Sequence, residues 1–166
     1  MTPKKSIRIV VLETLGPVKQ KFRRWILKCM GYIHIHGSVV LERGLNLDRV
    51  DPQGITIKEH CLIASGVTIL CHEHVYRDKD NMDLPFLSPV VIGARTFVGV
   101  GATILPGVTI GADCIIGAGA LVSKDIPHGS LAVGVPARVI RSGLRMNNKA
   151  VLVSINDIEV RGDQAL

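Results

Sequence analysis

The sequence predicts an all-β chain wound into a parallel β-helix, and three observations carry that prediction. From Ile92 an aliphatic residue returns every six positions, at Ile92, Val98, Ile104, Ile110, Ile116 and Val122. Glycine follows it at Gly93, Gly99, Gly111 and Gly117. The composition is 47% hydrophobic but only 4% aromatic, so the core must be built from Val, Ile, Leu and Ala, which suits closely spaced parallel strands. A period of six matches neither a helix nor a simple alternating strand. It fits one short strand and one turn per hexad, three hexads closing a triangular coil of roughly 18 residues. A βαβ architecture needs a crossover of about a dozen residues, usually helical, and residues 90–127 offer no such segment.

Residues 1–32 read as an N-terminal cap. Within it Val18 to Ile33, VKQKFRRWILKCMGYI, is a short amphipathic helix with Phe22, Trp25, Ile26 and Cys29 at helical spacing, Lys and Arg opposite, and Gly31 as the stop. A cap over the open first coil is favoured over a membrane anchor, because an uncovered end strand would pair with other chains. Residues 33–141 form the β-helix. Its first run reads Ile33, Val39, Leu45, a miss at Asp51, then Ile57, Ile63, Ile69 and Val75. Val75 and Ile92 are out of register, so the chain leaves the helix in an excursion over about 76–89, charged and carrying Pro85 and Pro89. Residues 142–166 are a tail in which Lys149 to Asp157 reads as one more strand and RGDQAL as a frayed end.

The formal charge is +6, with basic clusters at Lys4, Lys5, Lys19, Lys21, Arg23, Arg24 and Lys28, and at Lys124, Arg138, Arg141, Arg145 and Lys149. They suit a solvated surface or an acidic partner: a phosphorylated cofactor, a polyanionic glycan or an anionic membrane face. No nucleic-acid motif is present and the few aromatics do not interleave with the basic residues. The four cysteines show no CxxC pairing. Neither a cleavable leader nor a membrane-spanning run of about 18 apolar residues is read, so a cytoplasmic setting with reduced thiols is expected.

The stretch from Pro89 to Arg141, above all ILPGVTIG, IGAGALVSKDIP and GVPARVIR, resembles the hexapeptide-repeat acetyltransferases, in particular those acting on maltose, galactosides and bacterial polysaccharides. The resemblance is strong over 57–141, weaker over 33–56 and absent from both ends. Phe97 departs from the family, which often carries Trp there. The resemblance implies a left-handed β-helix, acetyl-CoA as acyl donor, no metal, and a homotrimer with each active site between two subunits. By family position Val100, Ala118, Ser123, Lys124 and Arg141 would line the donor groove.

Acetyl transfer to a hydroxyl needs a base, and an imidazole titrating near neutrality suits the task. His72 and His74, in ILCHEHVYRD, lie directly before the excursion; family position favours His74 over His72. Glu73 and Asp78 are candidate orienters of the imidazole. Cys71 beside a histidine admits an acyl-enzyme route, disfavoured because the resembling enzymes transfer directly. Asn46, Asp48 and Asp51, with Arg77, Met82 and Phe86 of the excursion, are candidates for holding the acceptor. Asp51 is expected to turn outward, since a carboxylate inside the prism is costly.

The expected acceptor is a sugar hydroxyl of a bacterial polysaccharide or its precursor, with peripheral membrane association as a further expectation. N-acetylation of an amino sugar or nucleotide sugar, or O-acetylation of an antibiotic, would use the same base. A γ-carbonic-anhydrase-like metal site and a non-catalytic scaffold are the remaining alternatives. The former is disfavoured because two ligands on one short strand seldom make a tetrahedral site alone.

Overall fold

A computed structural model describes residues 20–22, 25–75, 84–156 and the backbone of 158–159. The chain winds as a left-handed parallel β-helix. Each turn contributes one short strand to each of three walls. The first wall stacks Ile55–Ile57, Val90–Ile92 and Thr109–Ile110, extended by single bridges to Ile35 and Ile126. The second stacks Val40–Leu41, Leu62–Ile63, Phe97–Val98, Ile115–Ile116 and Leu131–Val133. The third stacks Asn46–Leu47, Thr68–Ile69, Thr103–Ile104 and Leu121–Val122.

The prism is filled by three aliphatic columns, one per wall: Ile35, Ile57, Ile92, Ile110 and Ile126; Leu41, Ile63, Val98, Ile116 and Ala132; Leu47, Ile69, Ile104 and Val122. All are buried. Each β-branched residue sits on its equivalent one turn away, which parallel pairing in register enforces. A second inward position lies two residues earlier, at Val39, Cys61, Thr96, Cys114 and Ser130 on the second wall. Its small polar groups bond to backbone carbonyls, as Cys61 Sγ does to Gly93 at 3.0 Å and Thr96 Oγ1 to Gly111 at 3.0 Å.

Two expectations on register are corrected here. Ile33 and Val75 are exposed and belong to no filled column. Val39 and Leu45 occupy the secondary inward position, and the principal column runs through Ile35, Leu41 and Leu47. The physical reason is that both inward positions accept apolar residues, so a period of six has two phases. The phase switches where the corner after Leu47 lengthens through Asp48–Asp51 and the 3-10 turn Pro52–Gly54.

Corners are where the backbone requires particular residues. Gly44, Gly66, Gly101 and Gly119 stack along the corner between the second and third walls, with φ of 70, 72, 66 and 66°, a region that glycine alone enters without strain. At the corner between the first and second walls, the left-handed positions are His60, Arg95, Asp113 and Gly129. Arg95 and Asp113 offset that strain with a bidentate ion pair, Nε to Oδ1 at 2.8 Å and Nη2 to Oδ2 at 2.6 Å. Gly93 and Gly111 are needed for close approach: a Cβ on Gly93 would lie 2.4 Å from the backbone N of Ala112.

Residues 20–22 and 25–29 are helical and cover the first coil, but by a different face from the one expected. Gln20 bonds both backbone groups of Leu41, its Nε2 donating to the carbonyl at 2.9 Å and its Oε1 accepting the N–H at 3.2 Å. Leu27 packs against the core. Phe22, Trp25, Ile26 and Cys29 are exposed instead. At the other end Arg138–Arg141 returns antiparallel along Leu131–Val133. Leu144–Met146 then pairs with Leu152–Ile155, placing the expected tail strand in a small antiparallel sheet. The terminal RGDQAL lies outside the described residues.

Candidate active site

The corner between the third and first walls is the one the chain elaborates. Its first turn carries Asp48–Asp51, its second releases the excursion, and later turns carry Leu105-Pro106-Gly107 and then Ser123-Lys124. The excursion leaves after Cys71 and returns at Ser88, whose N–H bonds the Cys71 carbonyl at 2.8 Å. Strands His72–Glu73 and Phe86–Leu87 pair antiparallel at its root. This begins the departure four residues earlier than the expected boundary of 76.

Asp48 organises the root. Its side chain is buried, and Oδ2 accepts the backbone N–H of Cys71 at 2.8 Å, that of His72 at 3.0 Å, and a short hydrogen bond from His72 Nδ1. Oδ1 accepts the N–H of Val50 at 2.9 Å. Burial alone would raise this carboxyl; the N–H of Cys71, the His72 imidazole and the N–H of Val50 together outweigh it and hold Asp48 below the ordinary carboxylate range. The Asp48 carboxylate on Nδ1 fixes the orientation of the His72 ring. Beneath, the buried Tyr32 donates its hydroxyl to the carbonyls of Asp48 at 2.7 Å and Leu47 at 3.2 Å.

His74 stands beyond His72, exposed at the mouth of the excursion, with the two rings edge to face and their centroids 5.2 Å apart. The pair is therefore one buttressed ring and one accessible ring on a single edge.

Of the acceptor candidates, Asn46 is exposed on the third wall and Asp51 is half-buried, its carboxylate lying over Gly54. Asp48 does not face an acceptor: its oxygens are spent on His72 and the backbone. Phe86 is exposed at the root. Arg77, Asp78 and Met82 lie outside the described residues. Cys71 is fully buried, and burial with the nearby charges of Asp48 and Asp51 pushes its thiol up to about 12. That environment is that of a packed thiol and counts against the acyl-enzyme route.

The five donor-groove candidates fall in three places on one chain. Val100 and Ala118 stack, both exposed, on the corner between the second and third walls. Added Cβ atoms at the adjacent Gly101 and Gly119 would meet nothing, so that edge is open. Ser123 and Lys124 are exposed on the histidine corner, and Arg141 is exposed on the return strand. Among the described residues no three His, Cys, Asp or Glu side chains come together in a metal-binding group. The Asp48–His72 link was missed in the sequence because it joins residues 24 positions apart.

Residues 89–124 match the family described as bacterial transferase hexapeptide (six repeats). Galactoside O-acetyltransferase of Escherichia coli (strain K12) is 42% identical over 109 residues, covering 65% of this chain and 54% of that protein. The chain spans about half the length of the curated relatives it matches. Among solved structures, a maltose O-acetyltransferase from Clostridium difficile 630 superposes with a TM-score of 0.58 at 29% identity, covering 72% of this chain and 74% of that one. A galactoside acetyltransferase in complex with coenzyme A gives 0.51 at 26%, covering 76% and 82%.

Proposed function

We propose that this hexapeptide-repeat chain is an acetyl-CoA-dependent O-acetyltransferase of a sugar hydroxyl, with His74 as general base. The chain's similarity to galactoside and maltose acetyltransferases supports this reading. The observation that carries the reading to residues is the pair of imidazoles at the root of the excursion, one locked by a buried carboxylate and one exposed beside it. The acceptor is a glycan or its precursor, handled in the cytoplasm.

Bound acetyl-CoA supplies an activated acetyl thioester. The open edge at Val100 and Ala118 suits an extended pantetheine arm, and Lys124 and Arg141 are exposed cations able to meet phosphates. His74 takes the acceptor's hydroxyl proton as oxygen attacks the carbonyl. The proton is then returned to the departing thiolate. His72, held by Asp48, packs edge to face against the neighbouring ring and helps to position it. Since Val100 and Ala118 occupy a different corner from the histidines, a site that uses both needs the edge of a second copy, which a homotrimer supplies.

A second reading has His72 itself as the base, and its fixed orientation against Asp48 favours it. Release of CoA from acetyl-CoA, followed with a panel of sugars and nucleotide sugars, separates the two. His74→Ala is expected to lower acceptor-dependent release by roughly a hundredfold or more, with His72→Ala milder. The reverse order transfers the role to His72. Release without any acceptor preference, unchanged in both variants, overturns the reading.

A further inference from the structure

We infer that the N-terminal helix is a docking surface for anionic membrane, independent of which sugar the chain acetylates. The charge of the protein is distributed to suit it. Residues 1–33 hold eight basic side chains and one acidic, a net +7, while the remaining residues hold twelve basic and thirteen acidic, a net −1. The whole positive excess of the chain therefore sits in its first fifth. Between Val18 and Lys28 five residues are basic and none is acidic.

The fold leaves the apolar face of this helix unused. Gln20 and Leu27 cover the first coil, so Phe22, Trp25 and Ile26, at helical spacing, point to solvent; Phe22 is 60% and Trp25 61% exposed. The two aromatic rings stack on each other with centroids 6.0 Å apart, presenting one apolar ridge flanked by Lys21 and Lys28. Beside Trp25 a cleft of about 270 Å³ lies between those two lysines, floored by Tyr32. The cleft's two lysines supply charge for a lipid phosphate while the aromatic ridge enters the headgroup boundary, the pattern of an interfacial helix. An isologous contact with a second copy is the poorer occupant, since it would set cations against cations. Among the described residues no helix is long and apolar enough to cross a membrane.

Trp25 is the sole tryptophan, so its emission reports the surface directly. The full chain is mixed with vesicles of equimolar phosphatidylcholine and phosphatidylglycerol, or of phosphatidylcholine alone, and scored by emission and co-sedimentation. Expected are a blue shift and co-sedimentation with the anionic vesicles only, both weakened by added salt. Lys21→Ala with Lys28→Ala is expected to weaken vesicle binding about tenfold or more. Phe22→Ser, at an exposed position, should weaken it while leaving the thermal midpoint and CoA release with soluble acceptors unchanged. Co-sedimentation with neither vesicle, or binding without a Trp25 shift, overturns the inference. So does a shift produced by inorganic phosphate alone, which marks a soluble-anion site, or one that follows protein concentration without lipid, which marks self-association.

Discussion

Asp48 and His72 are joined across one full turn of the prism: the buried carboxylate of the earlier coil receives the imidazole Nδ1 and two backbone N–H groups at the point where the excursion departs. One side chain thus anchors both the backbone of the departure and the ring that follows it. Asp48 is a positioning residue. Asp48→Asn, which preserves shape but not charge, is expected to lower kcat by about tenfold or more, with KM for acetyl-CoA little changed. It should also alter the acidic limb of the pH–rate profile, which a merely structural role would leave in place. Equal kcat and an unmoved profile would remove Asp48 from the mechanism.

Stability should fall in acid through two carboxylates. Burial pushes Asp113 up, but the Arg95 hydrogen bonds, the N–H of Met146 and nearby cations hold it below its ordinary value of 3.8, and Asp48 behaves alike. Because both folded values lie below the unfolded ones, their contribution is fully present above the ordinary carboxylate range and is lost as pH falls through the depressed values. Thermal midpoints measured from neutral pH downward should decline in that window. Asp48→Asn with Asp113→Asn should flatten the decline.

Asp113 also ties the C-terminal sheet to the prism, accepting the Met146 N–H at 3.1 Å as well as the Arg95 guanidinium. Asp113→Ala removes the bonds to Arg95 and to the Met146 N–H and should cost about 2 kcal/mol. Denaturant unfolding checks this, and a loss below about 1 kcal/mol would reduce the pair to a surface contact.

Gly93→Ala places a methyl against the backbone of the next turn, where nothing flexible can yield. A loss of about 3 kcal/mol or failure to fold is expected. Gly101→Ala meets open space but adopts a strained positive φ, so its cost should be nearer about 1 kcal/mol. Melting curves of the two variants, side by side, separate close packing from backbone strain.

The thiols give a chemical test of the core. Cys29 is exposed, whereas Cys61, Cys71 and Cys114 are buried, with burial pushing Cys61 up to about 11 and Cys71 to about 12. A thiol reagent should modify a single cysteine in the native protein and the rest only on unfolding. Rapid modification of Cys71 would reopen the acyl-enzyme route.

The fold was legible where the coils are regular. From Ile92 to Val122 no residue is inserted, so the aliphatic period is the strand period. Before that, Leu41 lies 22 residues from its stacking partner Ile63, and Ile63 lies 35 from Val98, and the added residues hide which inward position is being read. Val39 and Leu45 read as the principal column for this reason, while Val75 falls outside every column because the chain has already left the prism after Cys71. The histidine pair was legible from its place before an excursion, but its orienter was not, because a bond between stacked turns leaves no local spacing. The helix at Phe22 and Trp25 misled in the opposite sense: an amphipathic pattern shows that one face is apolar, not that the fold uses it.

The hydrogen bond from Ser88 to Cys71 closes the coil beneath the excursion, and the Gly107 N–H in turn bonds the Ser88 carbonyl at 2.9 Å. The ladder therefore runs past the departure point as though nothing had left it. Such a seam is a graft junction: the intervening segment can lengthen, shorten or change composition while the stacked walls keep their register. The composition of that segment and the stability of the scaffold are then free to vary apart, because the strands on either side of the seam pair with each other and not with what lies between.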